Sequence, residues 1–233
     1  MKSTQLDARL RSAALLVRQG AVFADVGTDH AHLPIFLLKA GVIGRAVLSD
    51  INEGPLLSAK ENAEANGLSD RVELVLTDGV RGLGGKGITD YAICGMGGEL
   101  IADIIASGEH LFDTGVRLIL QPMTRQAHLR RELCRLGFEI LEERYSFADG
   151  RYYLTMLAEY CGESSEIDDI TAELGFSYAE ETAAEYVGYL TAKLASYTSQ
   201  IAGKRRGGVD ASGDERIAGA IQKMISSVKE KDL

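Results

Sequence analysis

The chain has 233 residues, of which 45% are hydrophobic and 25% charged, with three Cys, three Pro, no Trp and a formal net charge of −9. This composition excludes a disordered, collagen-like or disulfide-rich protein and fits one α/β core with an appendage. The acidic balance also disfavours indiscriminate binding to nucleic acid.

Helical and strand-like patterns alternate through the first 136 residues. Apolar residues at helical spacing predict a first helix from Leu6 to Gly20, and the run AVFADV (21–26) predicts a buried strand. Strict alternation after this strand predicts a parallel sheet with right-handed crossovers. The predicted strands are 45–50, 71–78, 89–95 and 116–122, and the predicted helices are 33–39, 55–66, 99–107 and 125–136.

The alternation stops after residue 136. Two strand-like runs, FEILEERYSF (138–147) and RYYLTMLAEY (151–160), are separated by only three residues. A connection this short joins antiparallel strands, because parallel strands need a long crossover. The sheet is therefore predicted to end in an antiparallel hairpin.

Residues 163–233 form a second predicted segment, richer in Glu, Ala, Ser and Tyr. Apolar residues step by four and three, as in a heptad repeat, on both sides of a Gly-rich connection at 203–213. This pattern predicts a coiled-coil-like helical hairpin appended to residues 1–162. We expect a monomer, although such seams also support dimers. The seam residues are Ala183, Val187, Leu190, Leu194, Tyr197 and Ile201, then Ile217, Ile221, Met224 and Val228.

The charged side chains are distributed unevenly along the chain. Residues 1–20 have four basic side chains and one acidic one, and the segment 117–135 has five Arg with Glu132 as its one acid. Solvated helix faces often look like this, but two cationic patches are also able to bind a phosphate backbone. The patches therefore make nucleic acid a candidate partner.

Signals for export and membrane insertion are absent from the sequence. Asp7, Arg9 and Arg11 interrupt the apolar N-terminal stretch, unlike the core of a signal peptide. No window approaches the roughly 18 consecutive apolar residues of a membrane span. The cysteines form no C-x-x-C pair, so we interpret them as reduced thiols without zinc or redox function. We expect a cytoplasmic protein that binds no membrane.

Ligands of a doubly wound sheet bind beyond the carboxyl ends of its strands. The first predicted strand leads into DVGTDHAHLP (25–34), which has one of the three glycines of a dinucleotide-binding loop. Asp29 in this loop would repel a pyrophosphate at about 4 Å by roughly 4 kcal/mol per charge pair at an effective dielectric of 20. The loop therefore favours a cationic ligand, such as the sulfonium and ammonium of S-adenosylmethionine.

The next two strands also end in acidic residues. Asp50 follows Gly27 by 23 residues, close to the spacing of a carboxylate that accepts hydrogen bonds from ribose hydroxyls. Asp78 and Gly79 end the third strand, where they can meet the edge of an adenine. Each of these residues alone could be a helix cap, but three acidic strand ends in succession indicate a nucleoside site.

The fourth and fifth strands end differently. The fourth enters the Gly-rich turn CGMGGEL (94–100), where Gly97 and Gly98 allow a flat substrate to approach the backbone. The fifth ends in Gln121 and Pro122, a polar group beside a rigid turn. These two turns are the candidate substrate side of the site.

In this order, DVGTDHAHLP, CGMGG, LILQP and the closing DGRYY resemble the bacterial tRNA (adenine(22)-N(1))-methyltransferase family over about residues 5–160. The resemblance implies a Rossmann-like class I methyltransferase sheet with an appended helical hairpin. It also implies methyl transfer from S-adenosyl-L-methionine to nitrogen-1 of an adenine in the D arm of tRNA.

We assign candidate roles on this basis. Nitrogen-1 of adenine has a lone pair and needs no base, but a carboxylate stabilises the cationic product, so Asp29 and His30 are the candidate catalytic residues. His30 and His32 lack a third ligand, so we expect no metal. The candidate cofactor-binding residues are Asp25, Gly27, Thr28, Asp50, Ile51, Asp78, Gly79 and Gly95. The candidate substrate-binding residues are Arg9, Arg11, Met96, Gly97, Gly98, Gln121, Pro122, Arg125, Arg130 and Arg131.

Three alternatives remain open from the sequence. One is a methyltransferase of the same fold that acts on a small molecule or a protein, for which the basic patches would be ordinary surface. A non-catalytic tRNA-binding module would need no acidic loops on the cofactor side. A nicotinamide dehydrogenase fits least, because of the missing glycines and the terminal hairpin.

Overall fold

The structure, a computed structural model, describes residues 6–231, so the outer ends of both predicted segments, residues 1–5 and 232–233, lie outside it. Within this range the strands are β1 (Val22–Val26), β2 (Arg45–Asp50), β3 (Val72–Leu76), β4 (Asp90–Gly97), β5 (Arg117–Thr124), β6 (Phe138–Ala148) and β7 (Arg151–Tyr160). The helices are α1 (Ala8–Ala14), α2 (His32–Lys39), α3 (Glu53–Ala65), α4 (Gly98–Ala106), α5 (Gln126–Arg135), α6 (Asp169–Leu174), α7 (Ala183–Arg206) and α8 (Ser212–Lys231).

The seven strands form one sheet in the order β3-β2-β1-β4-β5-β7-β6. The first five strands are parallel, whereas β7 lies antiparallel between β5 and β6. The order reverses between β1 and β4, so their carboxyl ends flank a crevice. The prediction of a Rossmann-like sheet that ends in an antiparallel hairpin is confirmed.

Each face of the sheet packs against its own hydrophobic cluster. One cluster joins α1 and α2 to inward-facing residues such as Phe23 and Leu48. The other joins α4, α5, α7 and α8 to residues such as Ile93 and Leu120 on the opposite face. The helices of the C-terminal segment therefore share a core with the sheet, and the boundary at residue 162 stays a prediction.

Three features of the helices differ from the prediction. The first helix ends at Ala14 and not at Gly20, because the Arg18 amide and guanidinium bind the buried Asp90 carboxylate at 3.0 and 2.6 Å. The predicted connection at 203–213 shrinks to 207–211 between α7 and α8. The helix α6 was missed, since its six residues are too few for a periodic pattern.

The buried ion pair of Arg130 and Glu143 links α5, β6 and the C-terminal segment. Both side chains are fully buried, and Arg130 Nε lies 2.6 Å from Glu143 Oε1. Arg130 Nη1 donates to the carbonyl oxygen of Ala172 in α6, and Glu143 Oε2 accepts from the Phe176 amide. Every strong polar group of this pair is thereby hydrogen-bonded.

We expect Glu143→Ala to lower the free energy of unfolding by about 3–5 kcal/mol, because it leaves the Arg130 guanidinium buried without a counter-charge. Urea denaturation measures this loss. Arg131→Ala is the matched control, since its pair with Asp169 is partly exposed and is worth about 0–1 kcal/mol. Equal unfolding free energies for Glu143→Ala and Arg131→Ala would contradict this role.

Candidate active site

A cleft opens at the carboxyl ends of β1 to β4, where the strand order reverses. Its lining combines acidic side chains with exposed apolar ones and with glycine backbone. The lining residues are Val26, Gly27, Asp50, Ile51, Thr77, Asp78, Gly79, Met96, Leu100 and Ile104. The predicted cofactor-side and substrate-side loops therefore meet in one place.

The loop after β1 forms the floor of this cleft. The amides of Gly27 and Thr28 both donate to the carbonyl oxygen of Ser49 in β2, at 2.8 and 2.9 Å. Gly27 has φ +75°, and a Cβ there would lie 2.0 Å from the Met96 Cε atom. This left-handed backbone favours glycine, and a side chain here would also have to displace the end of the flexible Met96 side chain.

Asp25 lies beneath the loop in a buried position. Its carboxylate accepts a hydrogen bond from the Thr28 hydroxyl at 2.7 Å. Burial raises the pKa of Asp25 to about 6, and the hydrogen bond from Thr28 offsets part of the effect of burial. Burial, with Asp25 nearby, raises the pKa of Cys94 to about 12, so that thiol stays neutral. This protonation state agrees with our interpretation of Cys94 as a residue without a nucleophilic role.

Asp29 and His30, the candidate catalytic residues, project from the end of the same loop. The Asp29 side chain is 77% exposed, and its Oδ2 atom lies 3.5 Å from His30 Nε2. Ala31 turns the chain into α2 in the left-handed conformation, and the Asn62 amide holds the carbonyl oxygen of His30 at 2.7 Å. The pair is thus open to an incoming substrate on a fixed backbone.

The acidic ends of β2 and β3 face the cleft from one side. Asp50 Oδ1 accepts from the Asn52 amide at 2.8 Å, while its Oδ2 has no partner among residues 6–231. Asp78 pairs with Arg81 at 3.3 Å, and both side chains are exposed. Ile51 is 63% exposed beside Asp50. A free carboxylate oxygen next to an open apolar surface fits a ribose and a flat base.

The predicted Gly-rich turn (94–100) is formed by the end of β4 and the beginning of α4, and it lies across the cleft from Asp50. A Cβ on Gly98 would lie 2.6 Å from the carbonyl oxygen of Arg125, so this glycine allows α4 to pack on the turn before α5. Gly95 has φ +82°, and its amide donates to Gln121 Oε1 at 3.1 Å. Gly98 therefore has a packing role, and the approach of a substrate to Gly97 and Gly98 stays a prediction.

Gln121 and Pro122 do not line the cleft. Both are buried, and Gln121 has no exposed surface. Gln121 Oε1 accepts from Arg9 Nη1 at 2.8 Å as well as from the Gly95 amide. The prediction that Gln121 and Pro122 contact substrate is therefore wrong, because neither side chain is accessible.

The predicted cationic patch after β5 is largely neutralised. Arg130 is buried against Glu143, so the prediction that it binds tRNA is wrong. Arg131 pairs with Asp169 at 2.8 Å. Arg125 is 68% exposed and lies 3.4 Å from Glu99, and Arg11 is exposed on α1. A count of charges along the sequence cannot reveal partners that the fold brings from other elements.

Sequence reasoning missed four residues that line the cleft, of which one is Val26 at the end of β1. Leu100 and Ile104 lie one turn apart on α4 and present an apolar stripe, and Thr77 lies beside Asp78. Leu100 is 52% exposed. Their spacing of four residues directly after the Gly-rich turn is the signal that would have identified the apolar pair.

No helix within residues 6–231 is long and apolar enough to cross a membrane. In the same range, no group of three or more His, Cys, Asp or Glu side chains is arranged to hold a metal ion.

Comparisons with known proteins agree with this geometry. The family model described as a methyltransferase domain matches residues 6–156. The chain is 34% identical over 176 residues to the tRNA (adenine(22)-N(1))-methyltransferase of Bacillus subtilis, which covers 75% of this chain and 74% of that protein.

Solved structures are similar over nearly the whole chain. Streptococcus pneumoniae Sp1610 in complex with S-adenosyl-L-methionine is 28% identical, with a TM-score of 0.82 and coverage of 95% of this chain and 100% of that one. The B. subtilis m1A22 tRNA methyltransferase TrmK is 27% identical, with a TM-score of 0.79 and coverage of 98% and 99%.

The raised pKa of Asp25 predicts a dependence of stability on pH. Between about pH 4 and pH 6, folded Asp25 retains a proton that the unfolded chain has lost, so the free energy of unfolding falls as pH rises. Two pKa units correspond to about 3 kcal/mol. We expect Asp25→Asn to remove this loss of stability, because the amide does not titrate. The free energy of unfolding of Asp25→Asn minus that of the natural chain should therefore increase from pH 4 to pH 7.

Urea denaturation across this pH range measures the difference. Asp29→Asn is the control, because Asp29 is exposed in the same loop. Parallel pH profiles for the natural chain and Asp25→Asn would show that burial of Asp25 costs nothing.

Asp50→Ala tests the cofactor side of the cleft. We expect the Kd for S-adenosyl-L-methionine to rise about 10- to 100-fold, because a charged acceptor loses its ribose hydroxyl partners. Isothermal titration calorimetry measures the Kd, and Asp70→Ala, an exposed aspartate outside the cleft, is the control. An unchanged Kd in a folded Asp50→Ala variant would remove Asp50 from the site.

Proposed function

The chain belongs to the tRNA (adenine(22)-N(1))-methyltransferase family, and we propose that it transfers the methyl group of S-adenosyl-L-methionine to nitrogen-1 of adenine 22 in tRNA. The observation that carries this proposal is the cleft at the strand switch point, with acidic residues at the ends of β1, β2 and β3 and a Gly-rich turn opposite them.

The residues of the cleft fit S-adenosyl-L-methionine. Asp50 offers its free oxygen to the ribose, and Ile51 and Leu100 offer apolar surfaces to the adenine. Asp78 and Gly79 lie where they would meet the adenine edge, and Gly27 lines the cleft where the methionine part would lie. The buried pair of Asp25 and Thr28 and the backbone of Gly95 would support that part of the site from behind. When bound, this cofactor supplies an electrophilic methyl group on a sulfonium.

The charge of the cleft agrees with a cationic ligand. A pyrophosphate in the cleft would meet the carboxylates of Asp50 and Asp78, with Asp29 in the adjoining loop, whereas a sulfonium and an ammonium are attracted to them. The loop also lacks the second and third glycines of a dinucleotide site. These features together favour S-adenosyl-L-methionine over a nicotinamide dinucleotide.

Asp29 has the properties that the methyl transfer needs from this chain. Nitrogen-1 of adenine attacks through its own lone pair, so no side chain has to remove a proton. Positive charge develops on the adenine ring, and a carboxylate fixed nearby stabilises that charge in the transition state. Asp29 is exposed for this contact, and His30 lies against it at 3.5 Å and orients it.

Gln121 and Arg9 act as positioning residues in this proposal. Gln121 holds the Gly95 amide, and Arg9 holds Gln121 from α1. This chain of bonds fixes the backbone that leads into Met96 and Gly97, the part of the turn nearest the target base. Arg9 therefore serves the substrate side mainly through Gln121, although 21% of its side chain stays exposed.

The tRNA backbone is left with few free cations near the cleft. In the two patches Arg11, Arg125 and Arg135 are exposed, but Arg125 lies 3.4 Å from Glu99, Arg135 pairs with Glu132 and Arg131 pairs with Asp169. Arg11 and Arg125 remain the candidates for contacts with phosphates. Such contacts fix the register of a nucleic acid without selecting a base.

The proposed reaction is tested by incubating the protein with S-adenosyl-L-methionine and unmodified tRNA transcripts. Nucleoside mass spectrometry should detect 1-methyladenosine, and a transcript with guanine at position 22 should yield none. Methylation of a small molecule or a protein, with no methylated tRNA, would replace this proposal by the alternative of a different methyl acceptor.

Asp29→Asn tests the catalytic assignment. We expect kcat to fall about 100- to 1000-fold, because the neutral amide stabilises the developing cation less, while the Kd values for cofactor and tRNA change little. Single-turnover methylation and equilibrium binding separate the two effects. Asp103→Asn, an exposed aspartate on α4, is the control. A kcat within twofold of the natural chain would exclude Asp29 as the stabilising group.

A further inference from the structure

The turn between β6 and β7 presents two aromatic side chains that the proposed reaction leaves without a role. Phe147 and Tyr152 face each other across the two strands, with ring centroids 4.7 Å apart and planes tilted by 48°. Asp149 and Gly150, both with positive φ, close the turn beyond them. We call Phe147 and Tyr152 the aromatic tip.

The aromatic tip is held by the C-terminal segment. Tyr152 packs on Gly188 of α7 so closely that a Cβ there would lie 2.2 Å from the ring. Tyr152 is half-buried by this contact, whereas Phe147 is 49% exposed. Phe147 therefore presents an open aromatic surface on a fixed support.

The strand register places the aromatic tip at the edge of the sheet that holds the cleft. Leu120 of β5 pairs with Met156 of β7. Because β5 and β7 are antiparallel, the fourth residue after Leu120 and the fourth residue before Met156 lie towards the same end of the sheet. These residues are Thr124, which pairs with Gly97, and Tyr152. Tyr152 is therefore level with the Gly-rich turn. Three strand spacings, at least about 14 Å, separate the strands of Gly97 and Phe147, and the β5–β7 pairing ends below them at Leu120 and Met156. The separation spans a few nucleotides.

Charge contributes little at the aromatic tip. Asp149 and Arg151 lie on either side of Gly150, and both are exposed, so their charges largely cancel. These two charges together therefore favour neither a phosphate backbone nor a charged protein. An exposed aromatic ring with a neutral surround is suited to stacking on a base, which every nucleotide offers.

The proposed reaction creates a need for such a surface. Nitrogen-1 lies on the Watson–Crick edge of adenine, so a paired target adenine must leave its helix before it is methylated. Its neighbours then lose a stacking partner, and unstacking costs a few kcal/mol. A ring that stacks on an unpaired base a few nucleotides away offsets part of that cost.

We propose that Phe147, supported by Tyr152, stacks on an unpaired nucleobase of tRNA a few nucleotides from the withdrawn target adenine. This inference rests on the proposed function and adds a substrate contact on the β6–β7 turn. Stacking, and not phosphate binding, supplies the affinity of this contact.

Phe147→Ala and Phe147→Tyr test the proposal in the full-length protein. We expect Phe147→Ala to raise the Kd for unmodified tRNA about 5- to 100-fold, the range of a single base–aromatic stack, and Phe147→Tyr to restore it. The Kd for S-adenosyl-L-methionine should not change. The slope of log Kd against log salt should also not change, because no phosphate contact is lost.

Phe176→Ala is the matched control. Phe176 is 46% exposed, close to the value of Phe147. It lies beside Phe138 at the beginning of β6, at the end of the strand away from the β6–β7 turn. Its substitution should leave tRNA binding unchanged. Phe147→Leu keeps apolar contact with Tyr152 without the aromatic ring, so it separates loss of stacking from loss of folding, which the thermal midpoint reports.

A photoreactive benzoylphenylalanine at position 147 gives a second readout. We expect it to cross-link to tRNA at a nucleotide near position 22, and the same group at position 176 to give no cross-link. Wild-type tRNA affinity for Phe147→Ala, a changed salt slope, or cross-linking to protein instead of tRNA would overturn the inference. Failure of the proposed function is distinct, because the natural chain would then bind tRNA without methylating adenine 22.

Discussion

The buried pair of Arg130 and Glu143 is the contact on which the connection between the sheet and the C-terminal segment depends. Two opposite charges removed from water are tolerated only when each finds further hydrogen bonds, and here α6 and the segment after it supply them. The same contact fixes β6 relative to α5. It therefore positions the turn that continues β6 towards the cleft, together with the helix α7 that supports this turn.

The sheet could be predicted from the sequence because its signal is local and repeated. Alternating strand and helix patterns determine a parallel sheet, and the turn at Asp149 and Gly150 determines the hairpin. The end of α1 could not be predicted, since Arg18 leaves the helix for Asp90, 72 residues away. Periodicity in the sequence indicates which residues are buried, but it does not indicate which distant carboxylate binds an arginine.

Part of the candidate site could also be predicted from the sequence. Strand topology alone brings Asp25, Asp50 and Asp78 to one edge, so their proximity follows from the order of the strands. The roles of Gln121 and Arg130 do not follow, because a polar residue at a strand end looks the same in sequence whether it faces a ligand or the interior. The structure separates these cases by burial and by bonded partners.

The acidic charge of the cleft acts in opposite ways on its two proposed ligands, S-adenosyl-L-methionine and tRNA. Carboxylates that attract a sulfonium also repel the phosphates of tRNA, and the arginines nearby are mostly paired within the chain. The tRNA backbone must therefore stay outside the acidic region while a neutral base enters it. Withdrawal of one base from its helix meets this requirement, because the base then reaches the cofactor while its phosphates remain at the rim. The acidity that selects the cofactor thus also determines how the substrate must be presented.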